Sequence, residues 1–331
     1  MNKKKQCLEK IAELTHGEVL VLFTNTDFRV QANIEHSMLS TISKHLINIS
    51  KNYESRKIPQ ISFVLNTNGG NLPSARAIVK IIRQFAEKLM VIVPERAMSA
   101  GTMITIGADE IVMTRQAILG PLDPSISSMQ TISGEVPFSA QDMIKSLDNE
   151  LLTSEEKKER LLTLLTKAQP IVLGQALRAQ EQIGDMVTEF LQDKLPPDKF
   201  QSTKKLLMGY TTRHDYPFVR DDVISKLQLP VSETDSELES SVLELFSCYE
   251  SDFQPPSNEE IARNKGILVK NVLVSVIASE SRGQDLQKLH LEFEDSRLIK
   301  QYVSQELDQF ERAFLGKNFN KYFPRGLRIL G

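Results

Sequence analysis

The sequence predicts an α/β protein built on a parallel β-sheet, and three observations carry that expectation. Apolar runs of strand length recur at Val19–Phe23, Ile61–Leu65 and Met90–Val93. Helix-length stretches with 3.6-residue apolar spacing lie between them, the order expected when each crossover returns to a parallel neighbour. Two segments rich in small residues, Asn66-Thr67-Asn68-Gly69-Gly70 and Ala97-Met98-Ser99-Ala100-Gly101-Thr102, follow the second and third runs. Such sheets carry their sites at the carboxyl ends of the strands, and both segments fall there.

Each element has its own signal. Glu18–Phe23 reads as a buried strand, and His36–Lys51 carries Met38, Leu39, Ile42, Leu46 and Ile49 at helical spacing. Ile61–Leu65 is the next strand. Pro73–Leu89 is a helix with proline in its first turn, where the missing N–H costs nothing. Met90–Val93 is a strand, Ser99–Ala108 a short helix and Ile111–Thr114 a strand. Residues 139–208 read as a mostly helical insertion, with Ser139 capping one helix, Ser154 opening another, and Ile171–Leu195 ended by Pro196-Pro197. Arg220–Leu227 is one more short helix.

A chain of 331 residues holds about two domains on length alone. Ser232–Ser241 carries Glu233, Asp235, Glu237 and Glu239 with no basic residue, and reads as an acidic, solvated linker at 232–241. Residues 1–231 then form the first domain, and 242–331 a smaller α+β accessory domain. In the latter, Ile267–Ala278 and Leu289–Phe293 suggest strands joined around Ser281-Arg282-Gly283, and Ser296–Leu315 a helix.

Composition excludes several classes. A net charge of −3 gives no electrostatic case for nucleic acid or an anionic membrane. The basic and aromatic residues after Lys317 read as a docked amphipathic tail. Cys7 and Cys248 have no metal-ligand spacing and read as free thiols in a reducing compartment. The five histidines show no ligand pattern, so no metal is expected. The basic N-terminus lacks the apolar core of a signal peptide, and no apolar run is long enough to span a bilayer. The expected location is the cytoplasm. No Gly-x-Gly-x-x-Gly fingerprint follows a strand, and no cofactor is expected.

The paired glycine lets the backbone turn its amides towards a ligand, which a Cβ would obstruct. Ser99 falls at a helix start, beside backbone N–H groups of the kind that stabilise charge developing on an attacked carbonyl oxygen. The same position suits a serine that only caps its helix.

With Ala108-Asp109-Glu110-Ile111-Val112-Met113 after them, these segments resemble the ClpP/crotonase superfamily, whose fold is a parallel sheet of repeated β-β-α and β-α-β units. Gly120-Pro121-Leu122-Asp123-Pro124 and His214-Asp215-Tyr216-Pro217 look most like its serine dehydrogenase proteinase family, related to signal peptide peptidase SppA. The resemblance covers residues 18–231. It implies a serine peptidase that forms an acyl-enzyme on Ser99, with the amides of Gly69 or Gly70 and of Ala100 as oxyanion donors. It also implies peptide or unfolded protein substrates and a homo-oligomer, trimer or ring. Asp109 falls at a structural turn.

The general base has several candidates. ClpP proteins carry a histidine at a position that falls on Pro124 here, so that form of the triad is absent. SppA-like relatives use a lysine further on, which reaches Lys145, and a lysine serves as base when burial depresses its pKa. His214 is the alternative, needing little tuning near neutral pH, with Asp215 close to the triad aspartate of ClpP. Asp123, held between prolines, reads as a rigid substrate-lining turn. Two rival functions remain: a peptide-binding scaffold without catalysis, and a crotonase-like acyl-thioester enzyme using the same oxyanion hole.

Overall fold

The computed structural model describes residues 3–27, 30, 32–123, 125–131, 134–139, 153–159, 170–209, 216–233, 235–254, 267–279 and 282–294. Its order begins α1 (Lys3–Thr15), β1 (Glu18–Thr24), α2 (Met38–Ser50), β2 (Ile58–Asn66), α3 (Leu72–Phe85), β3 (Ala86–Val93), β4 (Arg96–Ala97), α4 (Ala100–Ile106) and β5 (Glu110–Met113). It continues with β6 (Ile118–Leu119), β7 (Ser125–Thr131), β8 (Gly134–Ser139), α5 (Pro170–Leu191), α6 (Pro197–Leu207), β9 (Phe218–Val219) and α7 (Arg220–Ser225). Then come α8 (Ser236–Phe253), β10 (Ile267–Ser279) and β11 (Gly283–Glu294).

The main sheet runs β11-β10-β1-β2-β3-β5. β1, β2, β3 and β5 are mutually parallel, with Val21 opposite Val64, Val64 opposite Ile92 and Ile92 opposite Val112. This row explains why the strands are apolar throughout: both faces are covered. Leu20, Leu22, Phe63, Leu65, Val91 and Val93 face a core shared with α2, α3 and α4. Val19, Val21, Phe23, Val64, Met90 and Ile92 alternate to the other face, against α1 and α8. Two small sheets stand apart, β4-β6-β9 and the hairpin β7-β8. The expected parallel α/β architecture is what the chain adopts.

Local chemistry sets the helix ends. Asn71 caps α3, its side-chain oxygen accepting from the Ser74 amide at 2.8 Å. Ala75, Ile78, Val79 and Ile82 then make its buried stripe. α3 stops at Phe85, short of the expected Leu89, because Ala86, Lys88 and Leu89 pair with Ile58, Gln60 and Ile61 of β2. Sheet pairing here overrides helix propensity. The hairpin at Ser125–Ser139 had no counterpart in the sequence reading.

The chain divides into two compact units, and the division differs from the sequence expectation. The first comprises Met1–Phe253 with Leu273–Gln287, the second Gln254–Val272 with Lys288–Gly331. Among the described residues the second unit holds the start of β10 and the end of β11. The acidic stretch assigned to a linker supplies the first turn of α8, where Glu237 and Glu239 meet the positive end of the helix. Glu237 pairs with Lys10 at 2.9 Å, and Glu239 accepts from the Arg115 amide at 2.7 Å. Further along α8, Phe246 and Tyr249 meet Phe23 edge to face, with ring centroids 5.5 and 5.7 Å away. β10 then joins the main sheet antiparallel to β1. Residues 236–253 and 273–279 therefore belong with the first unit.

Candidate active site

β2 and β3 end side by side, and the two small-residue segments continue from them. Thr67 bridges Ala97 in parallel, its amide donating to the Arg96 carbonyl at 2.9 Å and its carbonyl accepting from Met98 at 3.0 Å. The turn bearing Ser99 is thereby fixed against the glycine loop. An added Cβ on Gly69 would sit 3.0 Å from the Ser99 Cβ and 3.5 Å from the Ala100 amide nitrogen. Backbone therefore passes directly over the serine.

Ser99 itself is half-buried and sits just before α4 with φ 46° and ψ −109°. For a non-glycine residue this is a strained conformation, costing about 1–3 kcal/mol. A capping serine has extended backbone and its oxygen accepts a first-turn amide. Ser99 does neither, since its side chain makes no cap hydrogen bond. Ala100 is the first helical residue, so its amide has no partner inside α4.

The glycines differ in their commitments. The Gly69 amide donates to the Thr67 hydroxyl at 3.0 Å. Gly70 bridges Ile34 in parallel: Ile34 donates to the Gly69 carbonyl at 2.8 Å, and Asn71 donates to the Ile34 carbonyl at 2.9 Å. Gly70's own amide points away from that bridge, and takes no acceptor among the described residues. Both glycines have positive φ, 118° and 139°, as the turn requires. Residues 25–37 carry no strand or helix periodicity, so nothing in the sequence signals that this segment takes one edge of the glycine loop.

Asp123 lies on a turn built against the same helix. The Thr102 hydroxyl lies 2.7 Å from the Ala97 carbonyl and 2.8 Å from that of Gly120, and accepts from the Gly120 amide at 3.1 Å. The Leu122 amide donates to Leu207 at the end of α6, at 2.6 Å. Asp123 is 3% exposed, so the residue is buried. Asp109 lies just beyond the other end of α4. It accepts from the Leu89 amide at 2.9 Å and pairs with Arg83 at 2.7 Å. Burial pushes its carboxyl up, but these partners more than offset that and hold it below the ordinary range. Lys194, absent from the sequence reading, donates to the Ile106 carbonyl at 2.9 Å and to that of Ala108. Burial, with Arg83 nearby, lowers its pKa to about 8.

The structure thus brings together Ser99, Gly69, Gly70 and Ala100, with Asp123 on the turn tied to the same helix. Lys145, His214 and Asp215 lie outside the described residues. Among those described, no side-chain nitrogen hydrogen-bonds the Ser99 hydroxyl. Also among them, no group of three His, Cys, Asp or Glu is arranged to hold a metal, and no helix is long and apolar enough to cross a membrane.

The family model for ClpP-like SDH-type serine proteinases matches residues 49–261. An uncharacterized protein of Methanocaldococcus jannaschii is 28% identical over 186 residues, covering 56% of this chain and 58% of that protein. A second from the same organism is 29% identical over 189 residues, covering 57% and 56%. The match thus spans little more than half the length of these relatives. Among solved structures, ClpP1 from Listeria monocytogenes aligns over 68% of this chain and 97% of its own, at 12% identity and TM-score 0.38. A mutant of the 1510-N membrane-bound stomatin-specific protease, in complex with a substrate peptide, aligns over 62% and 72%, at 16% identity and TM-score 0.39. The family model reaches from within α2 to beyond α8, more than half of the chain, and takes in Gly69, Gly70 and Ser99. By that match, the chain belongs to the ClpP-like SDH-type serine proteinase family.

Proposed function

We propose that the protein is a serine endopeptidase whose nucleophile is Ser99. The observation that carries this reading is the backbone of Ser99, strained at φ 46° with a hydroxyl that does not cap its own helix. Strain of this kind presents a side chain to a ligand, as in the sharp turns that expose nucleophilic serines of other hydrolases. The Ser99 oxygen attacks the peptide carbonyl while its proton passes to a base, Lys145 or alternatively His214 oriented by Asp215. The amides of Ala100 and of the glycine pair receive the charge that develops on the carbonyl oxygen, Gly70 being the glycine whose amide has no acceptor among the described residues. Collapse expels the amine, which takes the proton back from the base. Water then hydrolyses the acyl-enzyme.

The substrate is an extended peptide or an unfolded protein segment. Ile34 already holds one edge of the glycine loop, so the substrate strand pairs on the edge that Gly70 turns away from Ile34. The buried Asp123 stiffens the wall beside that groove. The family resemblance further favours assembly into a homo-oligomer, a trimer or ring.

The test is covalent labelling by a fluorophosphonate probe. The parent protein is labelled and Ser99→Ala is not, while the variant keeps its fold and assembly. Undiminished labelling of the alanine variant, or an unreactive parent across pH, removes Ser99 as nucleophile. Acyl-CoA binding by an unlabelled parent would favour the acyl-thioester reading instead.

A further inference from the structure

Thr67 sits between the two halves of the site and touches both. It is fully buried, as is Thr24 on the neighbouring strand β1. The Thr24 hydroxyl donates to Thr67 Oγ1 at 2.8 Å, and the Gly69 amide donates to the same oxygen at 3.0 Å. Thr67's own hydroxyl proton goes to the Gly69 carbonyl, 3.3 Å away. A hydroxyl has one donor and two acceptor sites, and all three are filled here. On the other side, Thr67 carries the backbone bonds to Arg96 and Met98 that lead into Ser99. Its Cγ2 also stands 2.6 Å from where a Cβ on Gly101 would be.

We infer that the Thr24–Thr67 hydroxyl pair positions the oxyanion hole, a role that rests on Ser99 being the nucleophile. The Gly69 amide and the Gly69 carbonyl belong to the two successive peptide groups that flank Gly69, and Thr67 Oγ1 bonds both, with Ile34 holding the carbonyl from its other side at 2.8 Å. The Gly70 N–H shares the trans peptide plane of that carbonyl and points the opposite way, so fixing the carbonyl aims the Gly70 amide at the developing oxyanion. Thr67 touches no substrate. It acts by removing the alternative orientations of a glycine pair, the residues with most backbone freedom to lose. Thr24 in turn fills the second acceptor site of Thr67 Oγ1, which fixes where the Thr67 proton points.

Isosteric substitution separates this role from packing. Thr67→Val keeps the shape and loses the hydroxyl, whereas Thr67→Ser keeps the hydroxyl and loses the methyl. The measurements are fluorophosphonate labelling rate, kcat and KM for p-nitrophenyl acetate hydrolysis, and thermal melting of each full-length variant. Thr67→Val should label and turn over about tenfold to a hundredfold more slowly with little change in KM, as misplacement of a transition-state contact does. Thr67→Ser should recover most of that loss. Thr24→Val, which removes only the donor to Thr67, should give a smaller loss of the same kind and carries the test if Thr67→Val does not fold.

Unchanged or faster labelling of folded Thr67→Val would overturn the inference, since the Gly69 amide released by valine would then be the true donor. So would a Thr67→Ser variant as impaired as Thr67→Val, or an unimpaired Thr24→Val where that variant carries the test. Failure of the underlying reading looks different: there Ser99→Ala itself retains labelling.

Discussion

Gly70 passes so close to Ile34 that an added Cβ would lie 2.6 Å from the Ile34 carbonyl oxygen, and closer still to its amide nitrogen. Both obstructing atoms are backbone, and Gly70 has φ 139°. Gly70→Ala must therefore break the bridge to Ile34 or strain the loop. The expected cost is about 1–3 kcal/mol in stability, with fluorophosphonate labelling slowed as well. Gly174→Ala is the control, because nothing lies within 4 Å of its Cβ position inside α5. That substitution should stabilise by up to ~1 kcal/mol and leave labelling unchanged. Chemical denaturation of the two variants checks both.

Lys145→Ala and His214→Ala separate the two bases. If the lysine accepts the Ser99 proton, Lys145→Ala removes turnover by a factor of ~10² or more, and His214→Ala leaves most of it. The pH–rate curve then keeps rising above neutrality, because a buried lysine deprotonates later than an imidazole. The opposite pattern, with a plateau near neutral pH, assigns the proton to His214.

Asp123→Asn should impair peptide turnover less than Ser99→Ala does. Asp123 is buried beside the turn that Thr102 holds at Gly120, and its amide isostere keeps the side-chain shape. A loss as deep as that of Ser99→Ala, with the fold unchanged, would make Asp123 a proton-transfer group.

Lys194 gives a signed pH dependence. Burial lowers its folded pKa to about 8, against an ordinary value of 10.5. Between these values the unfolded chain binds the extra proton, so stability rises with pH across that window. Thermal unfolding of the parent should therefore improve from about pH 8 towards pH 10, relative to Lys194→Met measured alongside. Equal pH slopes for the two proteins would show that Lys194 carries no such linkage.

The strands were legible because each is covered on both faces, and continuous apolar runs such as Met90–Val93 record that directly. The site segments were legible for a similar reason: paired glycines and a small-residue helix start are local requirements written where they act. Ile34's place beside Gly70 was not legible, since an isolated bridge of one residue leaves no periodicity. The acidic stretch from Glu233 reads as a linker because charge alone does not separate a solvated linker from the first turn of a helix, which it is from Ser236 onward. Its partners, Lys10 and Arg115, lie far away in sequence. The conformation of Ser99 belongs to the same class. Its sequence context allows a capping residue, and only the packing of Gly69 above it and Thr67 beside it imposes the strained backbone.

β10 has a consequence for the sheet as a whole. It supplies the outer neighbour of β1, pairing Leu20 with Ser279 through to Thr24 with Ser275. β1 contains Val19-Leu20-Val21-Leu22-Phe23, with neither charge nor proline to discourage pairing with another molecule. A chain shortened after α8 would retain Gly69, Gly70 and Ser99, yet expose this run along an open row of amides and carbonyls. Such an edge recruits further copies strand by strand, so the shortened protein should lose itself to aggregation before its chemistry is measured. The late strand is in this sense a solubility device for the earliest one.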